Sequence, residues 1–298
     1  MPIDPPTSPA RRTGPSFVAE VSSNHARDLD RSLAFVGAAA DAGCTGIKFQ
    51  LFRIEQLFAP EALAARPELL ARKDWELPLE FLAPLAARSR ERGLDFLCTP
   101  FHLEAVEELL PHVSAYKIAS YELLWNDLLR RCAETGKPVV LSTGMASMDE
   151  IALAVGVLRD SGCVDLTLLH CVSGYPTPHR ECNLAAIETL REAFGCAVGW
   201  SDHSVDPAVI ERAVHRWGAE MIEFHLDLEG SGAEYTSGHC WLPQSIGSTI
   251  EDIRRGLDAD RDGTKTPAPV ELLDREWRAD PSDGLRPLRS TRASLEHE

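Results

Sequence analysis

Lysine is scarce in this chain of 298 residues. Only Lys48, Lys73, Lys117, Lys137 and Lys265 stand among 30 basic side chains, and 46 acidic ones leave a net charge of −16. Such a balance argues against nucleic acid or an anionic membrane surface as the main partner, because both need clustered cations. Also missing is any apolar run near the ~18 residues that span a membrane. The opening Met1-Pro-Ile-Asp-Pro-Pro-Thr-Ser-Pro-Ala10 has neither the charged start nor the apolar stretch of a signal peptide. The eight cysteines form no CxxC pair and mostly fall inside apolar segments, as reduced thiols do. A soluble cytoplasmic protein is therefore expected. Glycine-rich phosphate loops are absent too: neither GxGxxG nor GxxxxGK[ST] occurs. That weighs against a dinucleotide-binding doubly wound sheet, which places such a turn after its first strand.

What is present is ordinary globular composition, 44% apolar and 26% charged. Short, nearly continuous apolar runs predict strands at 17–21, 45–51, 95–99, 115–119, 138–142, 166–171, 197–201 and 220–225, as expected of strands covered on both faces. Amphipathic stretches with apolar residues at i, i+3 and i+4 lie between them. The stretch 79–92 opens after Pro78 and closes at Gly93, an asymmetry that marks helix ends. Eight strands alternating with eight helices predict a single-domain (β/α)8 TIM barrel over 16–257. Short extensions flank it at 1–15 and 258–298. The second carries Trp277-Arg-Ala-Asp-Pro-Ser-Asp-Gly-Leu-Arg286 and reads either as a disordered end or as a segment folded over the barrel mouth.

Barrel chemistry sits at the C-terminal ends of the strands. Those ends offer Glu20; Lys48 with Gln50; Thr99; Lys117 with Ser120 and Glu122; Ser142 with Thr143; His170 with Ser173; Ser201-Asp202-His203; and Glu223 with His225. Hydroxyl groups alone would mean little, since strand ends meet water. Two of five lysines inside apolar runs mean more, because a buried ammonium needs an anion or a wet mouth beside it. Each lysine either pairs with a buried carboxylate or points into the mouth to hold an anionic substrate. In the second case Thr99, Ser120, Ser142 and Ser201 supply neutral donors to the same oxygens. A Schiff-base lysine is a further option. His225, with His239 in Gly238-His239-Cys240-Trp241, marks a candidate divalent-metal site near Glu20 and Asp202. His25, His170 and His203 are read as supports for its ligands. His102, His112, His179 and His215 are read as surface or capping residues.

Seven short motifs then stand in one order. They are Ala19-Glu20-Val-Ser-Ser-Asn24-His25, Lys48-Phe49-Gln50, Cys98-Thr99-Pro100-Phe101, Tyr116-Lys117-Ile-Ala-Ser120-Tyr-Glu122, Leu141-Ser142-Thr143-Gly144-Met145-Ala146, His170-Cys171-Val-Ser173-Gly-Tyr175-Pro176 and Gly199-Trp-Ser201-Asp202-His203. In this the chain resembles the N-acetylneuraminate (sialic acid) synthases, phosphoenolpyruvate-dependent enzymes built on a (β/α)8 barrel. The resemblance implies condensation of phosphoenolpyruvate with an aldose such as N-acetylmannosamine, releasing phosphate and giving a 2-keto-3-deoxy sugar acid. It implies that Lys48, Thr99, Lys117, Ser120, Ser142 and Ser201 hold phosphoenolpyruvate and that Glu20 is the acid/base carboxylate. It also implies that Gln50, Glu122 and Tyr175 contact the sugar, with Asp202 read among the substrate contacts. The cofactor implied is a divalent metal, Mn2+ first, with Mg2+, Co2+ and Zn2+ as alternatives.

His225 matches one metal ligand. The family's Gly-Pro-Asp-His run does not occur, so His239 takes the second position. Phe224 stands where the family has Lys, and the family's C-terminal antifreeze-like domain is not found, so a divergent branch is expected. Homodimers are the family's habit. Rival readings are a synthase taking a phosphorylated aldose, a Schiff-base aldolase, and a non-catalytic sugar-acid-binding barrel.

Overall fold

The computed structural model describes residues 14–295. All but the last two residues of the expected N-terminal extension lie outside that range. Eight parallel strands follow in chain order: β1 Ser16–Glu20, β2 Gly46–Leu51, β3 Asp95–Pro100, β4 Ala115–Ile118, β5 Val139–Ser142, β6 Leu166–Cys171, β7 Ala197–Asp202 and β8 Met221–Leu226. Each pairs with the next, and β1 also pairs with β8, so the sheet closes into a barrel. Helices cross between the strands over the outer surface. Leu29–Asp41 starts where Asp28 accepts a hydrogen bond from the Arg31 amide at 2.9 Å. Met148–Asp160 starts at a Ser147/Glu150 capping box. Both devices satisfy amides that have no carbonyl partner in the first helical turn.

Alternation along each strand separates the barrel's two apolar sets. Outward residues such as Ile47, Phe49, Trp200 and Phe224 join the main core under the helices. Val18, Leu97, Val140 and Leu169 form a small separate cluster. Two residues further along the same strands, on the same face, come Glu20, Thr99, Ser142 and Cys171. The polar mouth thus rests on an apolar plug.

Three details depart from the sequence reading. The helix expected at 79–92 begins as a tight 3-10 turn, Leu79–Phe81, before Leu82–Glu91. The segment between β2 and Leu79, where the sequence reading placed no element, folds into Ile54–Leu57, Pro60–Ala65 and the 3-10 run Pro67–Trp75. A ninth strand, β9 Cys240–Trp241, pairs in parallel with β8; two residues are too few to show a period. The chain divides after Leu257 into two compact units. In the second, short helices Leu272–Arg275 and Arg289–Leu295 flank a turn in which Asp280 accepts from the Ser282 and Arg289 amides at 2.9 and 2.8 Å. Among the described residues no helix is long and apolar enough to cross a membrane.

Candidate active site and metal cluster

Four charged side chains meet on the plug, and strand register puts them there. Glu20 on β1 is level with Lys48 on β2, and Ser201 on β7 is level with Glu223 on β8. Lys48 forms an ion pair with Glu20 and lies 3.9 Å from Glu223, while Lys117 lies 3.6 Å from the same Glu223 oxygen. All four are 5% exposed or less. The quartet is neutral overall, the condition under which ammonium groups tolerate burial. Burial works to lower the Lys48 ammonium, but Glu20 and Glu223 outweigh it and hold its pKa above the ordinary lysine value. For Lys117 burial wins and the pKa falls, with Glu223 offsetting only part. Burial opposes ionisation of Glu223, yet Lys117 and Lys48 hold its pKa below the usual carboxylate range. Each lysine therefore has a carboxylate partner, and both line a cavity of about 200 Å³.

The neutral donors surround this pair. Lys117 donates to Ser142 Oγ at 2.7 Å, and Lys48 to Thr99 Oγ1 at 3.4 Å. Ser201 Oγ donates to Glu223 at 3.4 Å. The Gly144 amide donates to Ser120 Oγ at 3.0 Å. A Cβ at Gly144 would lie 2.5 Å from Ser173 Oγ, so only glycine brings the backbone this close. Glu20 accepts from Gln50 Nε2 at 2.6 Å and from the Ser22 amide at 3.0 Å.

Beside the cavity, and sharing Gln50, Phe101 and Tyr121 with it, opens a cleft of about 530 Å³. Phe52, Phe58 and Trp75 give it aromatic walls, and Arg72 stacks on Phe58 and Trp75 at 5.8 and 5.0 Å. Glu122 lies in this cleft, with Oε2 buried and without a hydrogen-bond partner. Burial pushes its carboxyl up to about 7. Tyr175 instead lines the cavity, its ring 4.2 Å from His203 and 5.1 Å from His239, centroid to centroid.

His225 and His239 do come together, with ring centroids 5.0 Å apart. Between them stands Glu234, on the one-turn helix Ala233–Thr236 that follows β8. Its Oε2 accepts from His225 Nδ1 at 3.0 Å and lies 3.6 Å from His239 Nε2. The ligand atoms of His225, Glu234, His239 and Cys240 all lie within 4.8 Å of one another. Imidazole, carboxylate and thiol converging in this way fit a divalent metal. His203 flanks the group, 5.5 Å from His225 by ring centroid. The Val172 carbonyl, which can only accept, binds His203 Nδ1 at 2.9 Å. The Nε2 of a neutral ring is then left as an acceptor, and burial together with His225 pushes the pKa down to about 3.

Asp202 requires correction as a substrate contact. β7 continues through it, and alternation from Ser201 turns its side chain outward, fully buried. There it accepts from Trp200 Nε1 at 3.0 Å, Trp241 Nε1 at 2.9 Å and the Ser204 and Val205 amides. His102, expected as a surface or capping residue, is buried beside Glu108. His170 also faces outward, against Trp200 and the Cys182 carbonyl.

Sequence reasoning noted Glu223 only as a strand-end residue and missed Glu234 altogether. Glu223 shares the inward face of β8 with His225, two residues on, and that parity was a usable signal. Glu234 stands in a four-residue helix, too short to show a period and with no motif to mark it.

The mouth of the closed parallel barrel thus brings together two buried lysines, a ring of hydroxyls and a cluster of side chains able to ligate a metal. Residues 35–265 match the model of the NeuB family. The chain belongs to that family. It is 37% identical over 261 residues to an uncharacterised protein of Methanocaldococcus jannaschii, covering 86% of this chain and 75% of the other. It is 33% identical over 264 residues to the N,N'-diacetyllegionaminic acid synthase of Campylobacter jejuni, covering 84% and 78%. The crystal structure of N-acetylneuraminic acid (sialic acid) synthetase from Leptospira borgpetersenii, in complex with citrate, superposes with a TM-score of 0.78. That match has 29% identity and covers 95% of this chain and 93% of the other.

Proposed function

We propose that this protein, acting in the cytoplasm, condenses phosphoenolpyruvate with the open-chain form of an N-acylated aldose. The products are a 2-keto-3-deoxy sugar acid and phosphate. The observation that carries this reading is the buried Lys48–Lys117 pair lining a small cavity with Ser120, Ser142 and Ser201. Two ammonium groups and several hydroxyls meet the carboxylate and phosphate of one small dianionic or trianionic substrate. The synthase names of the family relatives agree with it.

Each side chain then has a task. Lys48 and Lys117 hold the two anionic groups, and Thr99, Ser120, Ser142 and Ser201 fix their orientation. Fixed donors around the enol lower the cost of bringing C3 to the aldehyde carbon. Water adds at C2, and Glu20 takes its proton, held in line by Gln50 and the Ser22 amide. Collapse of the tetrahedral carbon expels phosphate between the lysines. His225 and His239, with Glu234 between them, would hold the divalent metal, which when bound supplies Lewis acidity toward a carbonyl oxygen. Glu122, Tyr175 and the aromatic cleft receive the rest of the sugar. The cation lining that cleft is Arg72, engaged with two aromatic rings, which favours an uncharged acylated sugar over a phosphorylated one.

The test is phosphate release from phosphoenolpyruvate by metal-loaded protein, across a panel of aldoses that includes N-acetylmannosamine and diacetamido hexoses. Aldose-dependent, chelator-sensitive release is expected. Release only with a phosphorylated aldose would transfer the chain to that rival reading. Borohydride trapping of pyruvate on a lysine would replace it with a Schiff-base mechanism.

A further inference from the structure

The cluster after β8 contains a ligand type that the hard-metal expectation does not use. Cys240 opens β9, and parallel pairing sets it level with His225 on β8. Its side chain is buried, with Sγ 3.8 Å from Glu234 Oε2. That same oxygen meets His225 Nδ1 at 3.0 Å and His239 Nε2 at 3.6 Å. Three potential ligands from two strands and a loop thus converge on one carboxylate oxygen. The sulfur also has outside support: Asn24 Nδ2, anchored on the Leu226 carbonyl at 3.0 Å, reaches Sγ at 3.7 Å. An amide donor aimed at sulfur stabilises a thiolate and orients it.

Resting on the reading that this end of the site holds a divalent metal, we propose that Cys240 is a thiolate ligand of that metal. The centre is then a mixed nitrogen, oxygen and sulfur site that selects Zn2+, Co2+ or Fe2+ over Mn2+ and Mg2+. Around a tetrahedral ion with bonds of about 2.0–2.3 Å, ligand atoms stand roughly 3.3–3.8 Å apart. The observed cluster, within 4.8 Å throughout, is at most about 1 Å wider than that arrangement. Binding replaces the thiol proton by a metal–sulfur bond and releases the proton to solvent. Thiolate is a soft ligand that favours Zn2+ and its neighbours, whereas Mg2+ and Mn2+ prefer oxygen.

The experiment uses the full chain, stripped of metal and titrated with Co2+. The expected result is a near-ultraviolet thiolate-to-cobalt charge-transfer band that saturates at one equivalent and is absent in Cys240→Ser. Loss of an outer partner of a metal site weakens binding about 10–100-fold, so loss of this direct ligand should weaken Zn2+ by more than ~100-fold. Excess Mn2+ should fail to displace Zn2+. Wild-type protein that binds Co2+ without the band, or binds no Co2+, overturns the proposal, as does a band that survives in Cys240→Ser. The wild-type titration decides even where the variant does not fold. Phosphate release is measured in parallel with Zn2+, Co2+ and Mn2+ each supplied in turn. An active protein without the band refutes the sulfur ligand alone, and the band in a protein inactive on every aldose refutes the synthase reading alone.

Discussion

Glu223→Gln tests the electrostatic logic of the site most directly. The substitution keeps shape and removes one charge from a neutral buried quartet. Coulomb's law at an effective dielectric of about 20 gives about 4.6 kcal/mol for the contact at 3.6 Å to Lys117 and about 4.3 kcal/mol for that at 3.9 Å to Lys48. Desolvation of the carboxylate cancels much of that attraction, and a broken buried pair typically costs about 3–5 kcal/mol. A loss of that size is expected in urea unfolding. Inorganic phosphate should reverse part of it, because an anion between the lysines restores the missing charge. A ligand at a hundred times its Kd contributes about 2.7 kcal/mol. Phosphate should therefore protect the variant more than the wild type, and bind it more tightly by calorimetry. A destabilisation under about 1 kcal/mol, with equal phosphate protection of both proteins, would refute the reasoning. It would mean that Lys117 carries no charge for Glu223 to balance.

Two further outcomes concern single carboxylates. Glu122 keeps its proton up to about 7 in the folded chain against 4.5 in the reference state, so the folded state binds the extra proton between those values. Stability should then fall by about 3 kcal/mol as pH rises through that window. Urea midpoints at several pH values should show the slope in the wild type and lose it in Glu122→Gln; an identical slope in both would place the titration elsewhere. Asp202→Asn should cost roughly 2–4 kcal/mol in the same assay by turning an amide toward indole and backbone donors. Phosphate affinity should stay unchanged, and a loss of affinity without a loss of stability would return Asp202 to the substrate.

The barrel was legible because strands covered on both faces are continuously apolar and the helices between them keep a helical period. Scarcity made the lysines legible: against a background of arginine, Lys48 and Lys117 inside apolar runs needed a reason. Asp202 was misread because one extra residue of strand reverses a side chain's face, and a strand's last residue is the hardest to place from pattern. Glu234 and Cys240 stayed hidden for a different reason. Their meaning comes from a one-turn helix and a two-residue strand, and neither is long enough for a repeat from which a spacing argument could start. The 3-10 run that brings Trp75 to the cleft carries an irregular pattern that reads as loop.

One consequence follows from the face that Glu223 and His225 share. A strand advances about 3.3 Å per residue, so these two side chains leave the backbone roughly 6.6 Å apart. One stands beside the two buried lysines and the other among the candidate metal ligands. A single rigid strand therefore acts as a ruler between the half-sites, and no loop takes part in setting its length. In the proposed synthase reading, the loops that shape the aromatic cleft can lengthen, shorten or exchange residues while the enol and the aldehyde keep their separation. On that reading, acceptor preference and bond formation are written into different parts of the chain, and the first can change without disturbing the second.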